Sequence, residues 1–272
     1  MHALLFLAAL SSPGGAAPAS PPCNPIPGWN AIDQRPDLDF LVIGEMHGSS
    51  EIPRIFADAV CLTAATRPVT AAVEQNEAGQ DAIDAFMASD GGEKARAAFG
   101  KALIWHTPPD GRSSIAYFQL FETLRAMKAA HRIDRVIGFQ PAASPALSTA
   151  AAREEAMAQR LMAQARPDTT MVVLVGNVHA IQAAPTRPYR TMASYLPPER
   201  TITLDTQGNG GSIWACMGRP VTCDTQPMAS GVTSNPPQRH VELLSQPGQP
   251  YSGVLYLGQP TSASPPYANA AP

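Results

Sequence analysis

Two apolar runs in this chain stop in the same way. Leu41-Val42-Ile43 leads into Gly44-Glu45-Met46-His47, and Met171-Val172-Val173-Leu174-Val175 leads into Gly176-Asn177-Val178-His179. A run that is apolar at every position, not at every second one, suits a strand whose sheet is covered on both faces. That points to a parallel sheet flanked by helices, in which ligands bind just beyond the carboxyl ends of the strands. The glycine lets each run end in a tight turn with no Cβ in the way. The fold must therefore bring two strand ends together, each delivering a histidine.

The rest of the chain fits that demand. Strands are expected at 39–44, 69–74, 135–139, 169–175 and 200–205. Helices are expected after Ser49 or Ser50, at 77–88 and 93–100, after Ser113 or Ser114, and at 147–165. Serines before an apolar stripe supply N-caps. Such alternation reads as an α/β fold with a largely parallel central sheet and flanking helices. After Gly208 the pattern changes, and 212–217, 241–244 and 254–257 are short strand candidates, expected as antiparallel additions near the C-terminus. Residues 20–38 read as a Pro-rich arm packed on a single α/β domain spanning 39–258. Residues 259–272 read as a disordered tail.

Location is written at the start. Ala3 to Leu10 is a short apolar core, followed by breakers and the A-x-A-like Ala17-Pro18-Ala19. Residues 1–19 have the shape of a secretory signal peptide, so the protein is expected to be exported, periplasmic or secreted. The apolar octamer is far short of the ~20 residues that span a bilayer. Four cysteines suit an oxidising compartment; Cys216 with Cys223 and Cys23 with Cys61 are the expected pairs. With a net charge of −3, the chain has no electrostatic footprint for nucleic acid.

The chemistry is expected at the strand ends. Glu45, His47, Glu74, Asn177 and His179 all lie just past an apolar run, and they meet if the first, second and fourth strands are neighbours. Histidine titrates near neutrality and can take a proton from water, and a neighbouring carboxylate orients its ring. Glu154 falls on the apolar stripe of the 147–165 helix, where an unpaired charge is costly; the adjacent Arg153 is a candidate partner. Arg153 and Arg112 are candidates to grip a substrate carboxylate or phosphate, with Asn177 as a further substrate contact. Trp105 and His106 share a turn-rich loop, and that pair reads as packing.

In this order and strand context, Gly44-Glu45-Met46-His47, Glu74, Arg153-Glu154 with Met157-Ala158, and Gly176-Asn177-Val178-His179-Ala180 resemble the erythromycin esterase, ChaN, TraB and Tiki superfamily over roughly residues 38–206. What the resemblance implies differs by branch. Esterase-like members imply a metal-free hydrolase acting on an ester or peptide bond, with His47 as general base, Glu45 and Glu74 beside it, and His179 and Glu154 completing the site. Tiki-like members imply a peptidase holding a divalent metal on His47, His179 and Glu74. ChaN-like members, nearest in size and export, imply haem binding, for which Tyr117, Tyr189, Tyr195 and Met46 are axial candidates. The small size of the chain speaks against a macrolide substrate.

Overall fold

The computed structural model describes residues 23–106, 110–183, 186–230, 238–246 and 248–269. The expected leader over 1–19 lies outside them. Nine strands run through the described residues: β1 (Phe40–Glu45), β2 (Val69–Asn76), β3 (Arg135–Gln140), β4 (Thr170–Gly176), β5 (Thr201–Gln207), β6 (Asn209–Met217), β7 (Thr222–Ser230), β8 (His240–Leu243) and β9 (Gly253–Tyr256). Seven of these form one sheet in the order β3-β2-β4-β1-β5-β9-β8. All pairs are parallel except β8 with β9. Because β4 is inserted between β2 and β1, the three strand ends that carry the expected site are adjacent. Glu45 stands directly beside Gly176 in the register.

The apolar strands feed two cores by simple alternation. Leu41, Ile43, Val172 and Leu174 point into the larger one, built with α1 (Asn30–Asp33), α2 (Glu51–Ala64), α3 (Gln80–Met87), α4 (Glu93–Gly100) and α5 (Ile115–Ala129). Phe40, Val42, Met171 and Val173 point into the smaller one, covered by α6 (Ala150–Gln164) and the turn around Met192. Ser49 accepts from the Ile52 amide at the start of α2, and Ser114 accepts from the Tyr117 amide at the start of α5. The Pro-rich arm packs through Ile26, Trp29, Ile32 and Leu38, all buried. Cys23 is bonded to Cys61, and Cys216 to Cys223. Among the described residues no helix is long and apolar enough to cross a membrane.

The expected short antiparallel strands near the C-terminus are present, and the C-terminal third departs from expectation in three details. β9 is parallel to β5 and extends the sheet, leaving β8 as its antiparallel edge. β6 and β7 form a separate antiparallel hairpin; β7 is polar, mostly exposed and interrupted by Pro227, so it carries no strand pattern. Residues 259–269 are a packed strap in place of a disordered tail. Ser262 O accepts from the Ser50 amide, Pro265 O accepts from the Ile115 amide, and the Ser264 amide donates to Gly48 O. Tyr267 stacks on Phe118 with ring centroids 4.0 Å apart, an arrangement contributing about 0.5–1.5 kcal/mol beyond its area. Residues 270–272 lie outside the described residues.

Candidate active site

Glu45 ends β1, and strand alternation turns its side chain toward α5. There the fully buried Tyr117 donates its hydroxyl to Glu45 Oε1. The same oxygen lies 2.8 Å from His47 Nδ1. Glu45 Oε2 has no partner among the described residues. Glu74, at the end of β2, has both oxygens engaged. Oε1 accepts from Arg112 Nη1 at 2.7 Å, and Oε2 accepts from the Gly176 amide at 2.7 Å. His47 Nε2 lies 3.4 Å from Glu74 Oε2, and His179 Nε2 lies 3.9 Å from Oε1. On its other side His179 Nδ1 meets Glu154 Oε1 at 2.8 Å, and Glu154 Oε2 also accepts from the Met192 amide. Each histidine is thus backed by a carboxylate at Nδ1 and turns Nε2 toward Glu74.

Backbone contacts fix these positions. Gly176 is required because a Cβ there would lie 3.1 Å from His47 Nε2 and 3.3 Å from His179 Cδ2. Gly48, with φ +94°, sits so close to Trp214 that a Cβ would fall 2.0 Å from its carbonyl oxygen. The β6–β7 hairpin and the C-terminal strap both bond Gly48 O, through the amides of Trp214 and Ser264. They hold the His47 turn from outside the sheet.

Charge follows from this packing. Burial alone would push the His47 ring below its ordinary value, but facing Glu45 and Glu74 raises it to about 10. His47 is therefore an imidazolium at neutral pH, the reverse of the resting state its expected role as general base requires. Burial would raise the Glu74 carboxyl, yet His47, then Arg112 and His179, hold it well below the usual carboxylate range. For His179 burial is outweighed by the bond to Glu154 and the charge of Glu74, so its pKa is also raised, against the opposing charge of His47. Burial and the Glu45 charge push the Tyr117 hydroxyl well up, so it stays a donor.

A cavity of about 690 Å³ opens over this cluster, lined by His47, Glu74, Arg112, Arg153, Glu154 and His179 and walled by the 140–150 segment and Tyr189. Most expected site residues converge here, with corrections. Arg112 lines the cavity but its charge is already paired, with Glu74 and with Asp110, whose Oδ2 lies 2.7 Å from Nη2. Arg153 does not pair with Glu154; its Nη1 donates to the carbonyls of Leu147 and Ser148 at 3.1 Å. Asn177 turns its side chain to Asp205 and is not among the residues lining the cavity. His106 is exposed and outside the cavity, while Trp105 is fully buried.

The carboxylate at each Nδ1 leaves both Nε2 atoms open, but the Arg112 guanidinium on Glu74 Oε1 and the Gly176 amide on Oε2 oppose a cation at the carboxylate between them. Among the described residues no group of three or more His, Cys, Asp or Glu is arranged to hold a metal ion. Of the haem candidates only Tyr189 lines the cavity. Tyr117 is tied to Glu45, and Tyr195 lies under the Arg190 guanidinium. Sequence reasoning named Tyr117 only as a haem-ligand candidate, missed its bond to Glu45, and gave Asp110 no role. The signal for Tyr117 was a hydroxyl on an otherwise apolar helical stripe.

The chain matches no family profile and no curated protein. Solved structures share its fold. A Bacillus cereus protein has a TM-score of 0.62 at 11% identity, over 88% of this chain and 93% of that one. A succinoglycan biosynthesis protein has a TM-score of 0.57 at 12% identity, over 87% and 92%. A mutant erythromycin esterase in its open conformation has a TM-score of 0.59 at 9% identity, over 87% and 92%. At these identities the likeness is one of fold, and function rests on the site.

Proposed function

We propose that the chain is an exported hydrolase acting on an ester or peptide bond of a small-molecule or peptide substrate, without a metal. One observation carries the reading: two carboxylate-backed imidazoles turn Nε2 toward a single carboxylate at the floor of a cavity. Both rings are raised, and His47, with two close carboxylates, is the more firmly held cation, so His179 is the ring that gives up its proton first as pH rises. His179, backed by Glu154, is the base: it takes a proton from water at Nε2 as the water oxygen attacks the carbonyl carbon. The His47 imidazolium faces the negative charge that develops on the carbonyl oxygen. It then protonates the leaving oxygen or nitrogen as the bond to carbon breaks. Glu74 lies between the two rings and stays ionised; once the product leaves, His179 gives its proton to solvent water and His47 takes one back from it. Arg112 keeps Glu74 ionised, and Arg153 contacts the substrate.

The test is a panel of chromogenic esters and short peptides with the wild type, His179→Ala and His47→Ala. Loss of about 10²–10⁴ in kcat/KM in each folded variant is expected, and hydrolysis by both variants at the wild-type rate sinks the reading. Export is supported by the two disulfides, which need an oxidising compartment. N-terminal sequencing of the secreted or periplasmic protein should read a start near residue 20, and a retained Met1 would remove that part.

A further inference from the structure

Beside the catalytic cavity lies a second one of about 570 Å³, lined by Arg187, Tyr189, Arg190 and Ser194 among others. Tyr189 lines both. The charge along this path is unusual for a chain with 22 acidic and 19 basic residues. Its carboxylates, Glu74 and Glu154, lie at the catalytic end and are engaged by Arg112 and His179; none lines the second cavity. Three arginines, Arg153, Arg187 and Arg190, have no carboxylate partner among the described residues.

Two of these guanidinium groups are braced by neutral groups. Arg153 Nη1 is held by two backbone carbonyls. Arg190 Nη2 donates to Ser194 O, Nε lies 3.4 Å from Ser194 Oγ, and the group sits 4.0 Å over the Tyr195 ring. Such bracing fixes the position of the fork, leaves its charge uncancelled and leaves further N–H groups to donate. Little side-chain order then remains to be lost when an anion arrives. A planar fork suits the oxygens of a carboxylate or phosphate.

We infer that the groove over Arg187, Tyr189 and Arg190 holds an anionic arm, a carboxylate or phosphate, of the substrate whose reacting bond lies against His179. The inference rests on the hydrolase reading for the reacting end alone; the anion site stands on its own contacts. The substrate class is an ester or amide carrying an acidic group at the end remote from the bond that breaks. Arg153 steers that arm from the cavity mouth into the groove.

Calorimetric titration with glutarate and with glycerol 3-phosphate, at constant ionic strength, tests the site without any turnover. The wild type and His179→Ala should bind at least one probe alike, and the better probe identifies the oxyanion. Arg187→Gln/Arg190→Gln should weaken that binding about tenfold or more, with Arg187→Lys/Arg190→Lys restoring part of it. Circular dichroism confirms that the variants fold. Failure of both probes to bind wild type, or equal binding by the folded Gln double variant, overturns the inference. A parallel comparison of neutral and acid-tailed esters separates the two readings. If neutral esters turn over and neither probe binds, the groove alone fails. If a probe binds and no ester turns over, the hydrolase reading fails alone.

Discussion

At the end of β1 the carboxylate that backs the histidine comes from the same turn, two residues upstream, as Glu45. At the end of β4 that position is Asn177, and the carboxylate arrives from α6 as Glu154. The difference sets the charge of each ring. His47 lies between two carboxylates within 3.4 Å and is held as a cation, whereas His179 has one close carboxylate and stands 3.9 Å from Glu74. Identical punctuation thus gives two rings in unlike surroundings, through what each turn imports from neighbouring elements.

The largest expected effect comes from breaking the shared floor. Gly176→Ala places a Cβ 3.1 Å from His47 Nε2 and 3.3 Å from His179 Cδ2, so both rings must give by a fraction of an ångström, and kcat/KM should fall by about tenfold. The counterpart Gly44→Ala meets Ala180 Cβ at 2.9 Å and Asn177 Cα at 3.0 Å. Its effect should appear as about 1–3 kcal/mol of lost stability in urea unfolding. Equal activity losses in the two variants at equal stability would erase the contrast between the glycines.

The pH profile sharpens the comparison next. Activity should rise with pH as His179, titrating above its ordinary value, loses its proton. It should fall near pH 10 as His47 is neutralised. Glu74→Gln removes a carboxylate facing His47, so the descending limb should move to lower pH. A profile still rising past pH 10 would make His47 the base after all. Tyr117→Phe comes third: it removes a donor from Glu45, whose other oxygen has no partner. A loss of about 1–3 kcal/mol in stability is expected, with the descending limb moved upward because Glu45 then holds the His47 cation more tightly. The last effect is on the folded state. The raised His47 value contributes stability that is fully present below pH 6.5 and is lost as pH rises through about 10. The Tm of the wild type should therefore fall more than that of His47→Gln between pH 7 and 10.

Much of this was legible in the sequence. Runs apolar at every position give away the parallel sheet, because only strands covered on both faces need them. Glu154 was legible as a buried carboxylate needing a partner, although the partner came from β4 and not from the neighbouring Arg153. Arg112 looked like a substrate contact because composition does not reveal that Asp110 and Glu74 pair its charge. The position of β7 was hidden because its exposed, polar ribbon has no buried face to write a pattern. The strap at 259–269 was hidden for another reason. It docks largely through backbone amides and carbonyls, which every residue has, so Ser, Pro and Ala there read as disorder.

That strap also orders events during synthesis. The turn that carries His47 is bonded at Gly48 O by the amide of Ser264, and α5 is joined at its start by Pro265. A growing chain can assemble β1, β2 and β4 and still lack the clamp on its first histidine. A chain clipped before Ser262 would keep the Trp214 bond to Gly48 O and lose the Ser264 one, leaving the His47 turn held from one side only.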